Sequence, residues 1–282
     1  MNTNFVRAIL CLILLVQPLA AGAEAKAAVQ PYIMGVFPFV PTTTIEGIFA
    51  PLAAELSQAL GRPVKVRSAS SFDKFTDELK NRVFDIAFIQ PFDYARLAKS
   101  AGLLPLASRN DIFNSCIVVR DDSPAHEMVD LKGIKMGMPP KSAAVSVLNS
   151  IVVKKAGLTP GKDITFVFLA SHQACLQQLV IGNVAACGVS PASVRLAELQ
   201  LKTTFRLITE SPAIPPSLFV VKKELPHKDR DTMLRVLLTT DLAGVRPELR
   251  SKFFESGHKP FRKATDREYD VVRAMMKTYN VR

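Results

Sequence analysis

Four side chains in this sequence carry chemistry beyond folding: Cys116, Cys175, Cys187 and His172. His172 and Cys175 are three residues apart, so on a helix they share one face. An imidazole beside a thiol is half of a nucleophilic pair. A cysteine-dependent hydrolase, the alternative from the enzyme class, also needs a group to orient the imidazole, and no carboxylate stands near the pair. None of the patterns G-x-S-x-G, H-E-x-x-H, G-x-x-x-x-G-K-[ST] or C-x-x-C occurs. The sequence therefore predicts no enzyme and no cofactor, and binding is the chemistry left. Two readings of the thiols stay open. Either Cys175 and Cys187 pair or lie buried, with Cys116 buried too, or one or more thiols hold a soft ligand.

The second kind of chemistry is anion binding. Pro140-Lys141-Ser142-Ala143-Ala144 opens a helical pattern, with Ser142 expected as its N-cap. The free amides of that first turn, aided by the helix dipole, can accept an anion at Ser142, Ala143 and Ala144. His172 follows Ser171, another expected cap, and supplies a donor that titrates near the working pH. Gln90, Tyr94 and Thr43 stand at strand ends or helix starts and complete the set of ligand candidates.

These residues need elements to hold them. The chain has 282 residues, and near its start stand Arg7, an apolar run from Ala8 to Val16, and Ala21-Gly22-Ala23. That is the pattern of a cleaved export signal over residues 1–23, with the exported mature chain starting at Glu24. The remaining length suits two lobes, and a 48% hydrophobic composition suits folded ones. The formal net charge of +11 is spread along the chain rather than run together. It predicts a basic surface and no nucleic-acid partner.

Short β-type runs alternate with helical patterns. Strands are expected at 32–37, 64–68, 84–90, 104–107 and 116–120, and again at 134–138, 164–169, 187–190, 205–208 and 217–222. Helices are expected at 43–60, where Thr43-x-x-Glu46 reads as a capping box, and at 72–82, 91–101, 142–156, 171–181, 191–201, 229–240, 247–256 and 265–279. This alternation predicts an α/β fold with parallel sheets covered on both faces. The expected lobes are residues 28–114 plus 211–282, and 115–210, joined by two crossing strands that act as a hinge. Ligands of such sheets sit outside the carboxyl ends of the strands.

Five segments carry a family resemblance: FDIAFIQPFDY at 84–94, VVRDDSP at 118–124, DLKGIKMG at 130–137, ASH at 170–172 and SPAIP at 211–215. In this order they resemble the periplasmic phosphate/phosphite/phosphonate-binding proteins. The resemblance implies a two-lobed periplasmic binding fold of the second topological type. It also implies a monomer that captures a small oxyanion for an ABC permease or a membrane-bound sensor histidine kinase. It places the anion on hydroxyls and amides at 140–144, with His172 as the matching site histidine. Only Ser142 remains of several hydroxyls usual there, and Ala185 stands where a carboxylate is common. Together with three cysteines in the mature chain, these departures point to a thiophilic oxyanion such as arsenite. Cys116, beside the expected crossover, is then the thiol ligand. A phosphate-like or phosphonate anion held by Ser142, His172 and amides is the alternative.

Overall fold

The computed structural model describes residues 29–253 and 259–281. The expected export signal and cleavage site, and the end of the helix expected at 247–256, lie outside the described residues. The chain runs β1 (Tyr32–Val36), α1 (Thr42–Leu60), β2 (Val64–Ser68), α2 (Phe72–Lys80), β3 (Ile86–Ile89), α3 (Pro91–Leu97) and β4 (Leu103–Arg109). It continues with β5 (Cys116–Arg120), β6 (Lys135–Met138), α4 (Ala144–Lys155), β7 (Thr165–Phe168), α5 (His172–Val180), β8 (Ala186–Val189), α6 (Pro191–Leu201) and β9 (Phe205–Glu210). It closes with β10 (Leu218–Lys222), α7 (His227–Thr239), α8 (Pro247–Phe253), β11 (Phe261–Lys263) and α9 (Asp270–Thr278).

Local chemistry explains most of these boundaries. Gly61 stops α1 in the left-handed region at φ 60°, where a side chain would be strained. Ser71, Ser171 and Ser190 cap α2, α5 and α6 by accepting from the amides of Lys74, Ala174 and Ser193. Pro91 and Pro191 occupy first-turn positions, where the missing N–H costs no hydrogen bond. The capping box expected at Thr43 and Glu46 does not form. The cap position falls on Pro41, which has no side-chain acceptor, so Thr43 lies inside the helix and is exposed.

The strands form two sheets. One has six strands in the order β11-β4-β10-β3-β1-β2, and the other five in the order β7-β6-β8-β5-β9. Both are mixed, which corrects the expectation of parallel sheets. β1, β2 and β3 run parallel, as do β6, β7 and β8, but β10 runs antiparallel to β3 and β4. β5 likewise runs antiparallel to β8 and β9. The reason is the crossover: β5 and β10 each arrive from the other sheet and enter at the edge where the parallel strands end. β11 is an additional edge strand, antiparallel to β4, that the sequence reading left out.

The six-stranded sheet is built around aromatic packing, with Phe88 against Phe49 at 5.3 Å and against Phe219 at 4.9 Å between ring centroids. The central strands of the five-stranded sheet bury both faces, whereas the outer strands β7 and β9 stay partly exposed. On β5, Ile117 and Val119 pack to one side, whereas Cys116 and Val118 pack to the other. That alternation is the period of two expected for a strand sandwiched between helices. Among the described residues, no helix is long and apolar enough to cross a membrane.

Candidate anion-binding cleft

The topology brings the carboxyl ends of the parallel strands to one edge of each sheet. β3 ends at Ile89 and leads to Gln90; β6, β7 and β8 end just before the segments holding Ser142, His172 and Ser190. The two crossovers leave and enter at these same edges and are bonded to each other. Ser211 N donates to Ser115 O at 2.8 Å, Ser115 N to Ser211 Oγ at 2.9 Å, and Ile214 N to Phe113 O at 2.9 Å.

The edges face each other, and Gln90 spans them. Its Oε1 accepts from Ala144 N at 2.9 Å, and its Nε2 donates to Ser142 O at 3.0 Å and to Asp93 Oδ2 at 2.9 Å. Pro91 favours extended backbone at the residue before it, and Gln90 has φ −80° and ψ 157°. Both Gln90 and Asp93 are almost fully buried, and burial raises the Asp93 pKa. Ser142 is not the cap of α4. The helix begins two residues later than expected, at Ala144, with Ala143 in the cap position and no side-chain cap of its own. The side chain that satisfies its first amide comes from 54 residues upstream.

His172 opens α5 and turns its Nδ1 to the backbone, accepting from Ser190 N at 3.2 Å. The neutral ring therefore carries its proton on Nε2. Burial drives its pKa down to about 4, so it does not titrate near neutral pH as the sequence reading expected. A neutral, fixed donor suits an anion without adding charge.

The cysteines separate into two fates. Cys175 and Cys187 are joined in a disulfide, with Cα atoms 6.1 Å apart. This corrects their standing as thiol ligands, because a disulfide sulfur has no thiolate to offer. The bond is packed against the bare Cα of Gly137, where an added Cβ would lie 2.8 Å from Cys175 Sγ. Cys116 is free but buried, and its thiol donates to Val189 O at 3.4 Å. Burial pushes its pKa up to about 12, which keeps it a neutral thiol among Val118, Leu176 and Val189. The three sulfurs thus form no soft-ligand cluster.

Tyr94 and Thr43 stand apart from this group. Tyr94 is buried between α3 and α9, where its hydroxyl donates to Asp266 Oδ1 at 2.7 Å and its ring meets Tyr269 edge-on. Sequence reasoning missed Asp93 and Ser190, the partners that orient Gln90 and His172. The Pro after each strand was the visible signal, since it marks the turn where both partners lie.

Comparisons with known proteins agree with this architecture. The model of the family described as ABC transporter, phosphonate, periplasmic substrate-binding protein matches residues 34–269. PhnD1 from Prochlorococcus marinus, solved with methylphosphonate, is similar with a TM-score of 0.73 and 16% identity, covering 89% of this chain and 98% of that one. A binding protein of an ABC phosphonate transporter from Pseudomonas aeruginosa gives 0.72 and 16%, covering 89% and 86%. A Xanthomonas citri protein bound to chloride ion gives 0.74 and 16%, covering 89% and 98%. At these identities the likeness is one of fold, the two-lobed periplasmic binding fold of the second type. With most of its length matched by that one family, the chain belongs to the periplasmic phosphonate substrate-binding proteins of ABC transporters.

Proposed function

We propose that this protein captures a small oxyanion of the phosphonate class between its two sheets and delivers it to an ABC permease. In this reading the lobes are residues 28–114 plus 211–282, and 115–210, and they close about the paired crossovers. The observation that carries it is the meeting of strand carboxyl ends from both sheets at the N-terminus of α4, where Gln90 bonds Ala144 and Ser142, and His172 at the start of α5 adds a neutral N–H. Helix amides and an uncharged imidazole N–H are donors, and donors converging at strand ends suit an anion. Ser142 adds a hydroxyl at the same turn. The family match supports a permease as the partner and gives the sensor-kinase expectation no support.

A thermal-shift screen with phosphate, phosphite, methylphosphonate, sulfate and arsenite tests the reading. A ligand that binds only the folded form adds about 2.7 kcal/mol at a hundred times its Kd. Methylphosphonate or phosphite is expected to raise the midpoint, and His172→Ala to abolish the rise. If none of the phosphorus oxyanions moves the midpoint, the proposal fails. Arsenite stabilisation that disappears in Cys116→Ser would instead restore the thiol reading.

A further inference from the structure

Gln90 was expected to touch the ligand, but its carboxamide has no N–H left to offer an anion. Both N–H bonds are engaged, one by Asp93 Oδ2 and one by Ser142 O, and its oxygen accepts from Ala144 N. Asp93 presents an acceptor to Nε2, so the amide is held with its oxygen toward α4. The contact is not isolated. Ala144, Leu148 and Ile151 of α4 belong to the same apolar core as the six-stranded sheet, although α4 follows a strand of the other sheet. At the far end of α4, Lys154 Nζ donates to Tyr279 O at 3.0 Å. The helix is therefore docked on the opposite lobe along its length, with Gln90 at the end nearest the anion.

We propose that Gln90 is an interlobe latch and a positioning residue: its carboxamide takes the place of a ligand oxygen at the first amide of α4. This rests on the cleft reading above and adds to it. Two consequences follow. Gln90 adds two hydrogen bonds to the apolar packing of α4 that already joins the lobes. An arriving anion either displaces Oε1 from Ala144 N or binds with one amide fewer, which favours an oxyanion needing few donors. Two interlobe hydrogen bonds, each shifting an equilibrium by roughly fivefold, together bias it toward the closed form by about twenty-five-fold.

The test uses ligand-free full-length mature protein in solution scattering. Gln90→Leu keeps the size of the side chain and removes both interlobe bonds. Ala144→Pro removes only the amide that Gln90 meets. Position 144 is the first of the helix, where proline is favoured, and Ala143 at φ −68° and ψ 136° already has the backbone a following proline requires. Both variants are expected to show a larger radius of gyration than the parent and faster anion association in stopped flow. Combining them should add little, because they cut the same contact. If the folded variants scatter as the parent does, the latch is refuted. Expansion in Gln90→Leu but not in Ala144→Pro overturns the assignment to that amide. Should Gln90→Leu fail to fold, Ala144→Pro decides alone. Scattering of the free protein needs no ligand, so a chain that binds no phosphorus oxyanion would overturn the proposed function and still leave the latch measured.

Discussion

The Cys175–Cys187 disulfide permits the most direct quantitative test. Its two residues are separated by 12 positions, so it closes a short loop joining α5 to β8. Chain-entropy reasoning assigns a loop of this length about 2.8 kcal/mol at 25 °C, gained by restricting the unfolded chain. Replacing both residues by alanine removes this constraint and leaves no buried hydroxyl behind, which serine would. For a chain of this size each kcal/mol moves the midpoint by about 2–4 °C, so the double variant should melt about 6–11 °C below the parent. Gly137 supplies an internal control. A Cβ there would lie 2.8 Å from Cys175 Sγ and 3.3 Å from Cys187 Sγ, so Gly137→Ala should cost about 1–3 kcal/mol in the parent. Without the sulfurs that cost should fall, and the two changes should couple in a double-mutant cycle. The assay is calorimetry under non-oxidising, non-reducing conditions, with alkylation and intact mass to count thiols. Equal midpoints for parent and double variant, or alkylation of Cys175 and Cys187 in the unreduced denatured protein, would refute the bond.

Acid should act through His172. Its folded pKa near 4 lies below the unfolded value of about 6.5, so its contribution is intact above pH 6.5 and is lost as pH falls toward 4, by at most about 3 kcal/mol given partial exposure. His172→Gln should flatten that part of the melting-versus-pH curve, and identical slopes would contradict the burial argument. The Cys116 thiol, buried and neutral, should resist a disulfide reagent in the native protein and react once it is unfolded. Rapid native labelling would mean the site opens. Tyr94→Phe should cost about 1 kcal/mol of stability through the lost bond to Asp266, with anion affinity unchanged; a selective loss of affinity would return Tyr94 to the site.

Most of the architecture was legible in the sequence because its signals are local. Val64–Ser68, Cys116–Arg120 and Pro191–Leu201 fall where apolar runs and turn residues put them. What escaped was non-local. β11 contains one apolar residue, Phe261, and is a strand only because β4 offers it an edge. The directions of β5 and β10 depend on which sheet edge a crossover enters, which periodicity does not encode. At the site, Ser142, Ala144 and Gln90 were each singled out, but the roles shifted. Ser142 looked like a cap because serine usually is one; the helix starts later because Gln90 satisfies its first amide from the other sheet. The pairing of Cys175 with Cys187 was left open because spacing alone does not fix the distance between two sulfurs.

The position of β10 has a consequence for how the molecule is assembled. Leu218–Lys222 lies between β3 and β4, two strands complete by residue 109. The five-stranded sheet, by contrast, is drawn from one uninterrupted stretch ending at Glu210. A chain emerging vectorially, amino end first, can finish the smaller sheet while the larger one still has a slot in its middle. β3 and β4 then wait with unsatisfied edges for a strand more than a hundred residues downstream, and loop closure of that span makes this the slow event. Stopping synthesis between residues 210 and 218 should leave a folded five-stranded half attached to an open, aggregation-prone one. Commitment of the whole molecule is thus deferred to its last quarter, when the strand that completes the larger sheet is made.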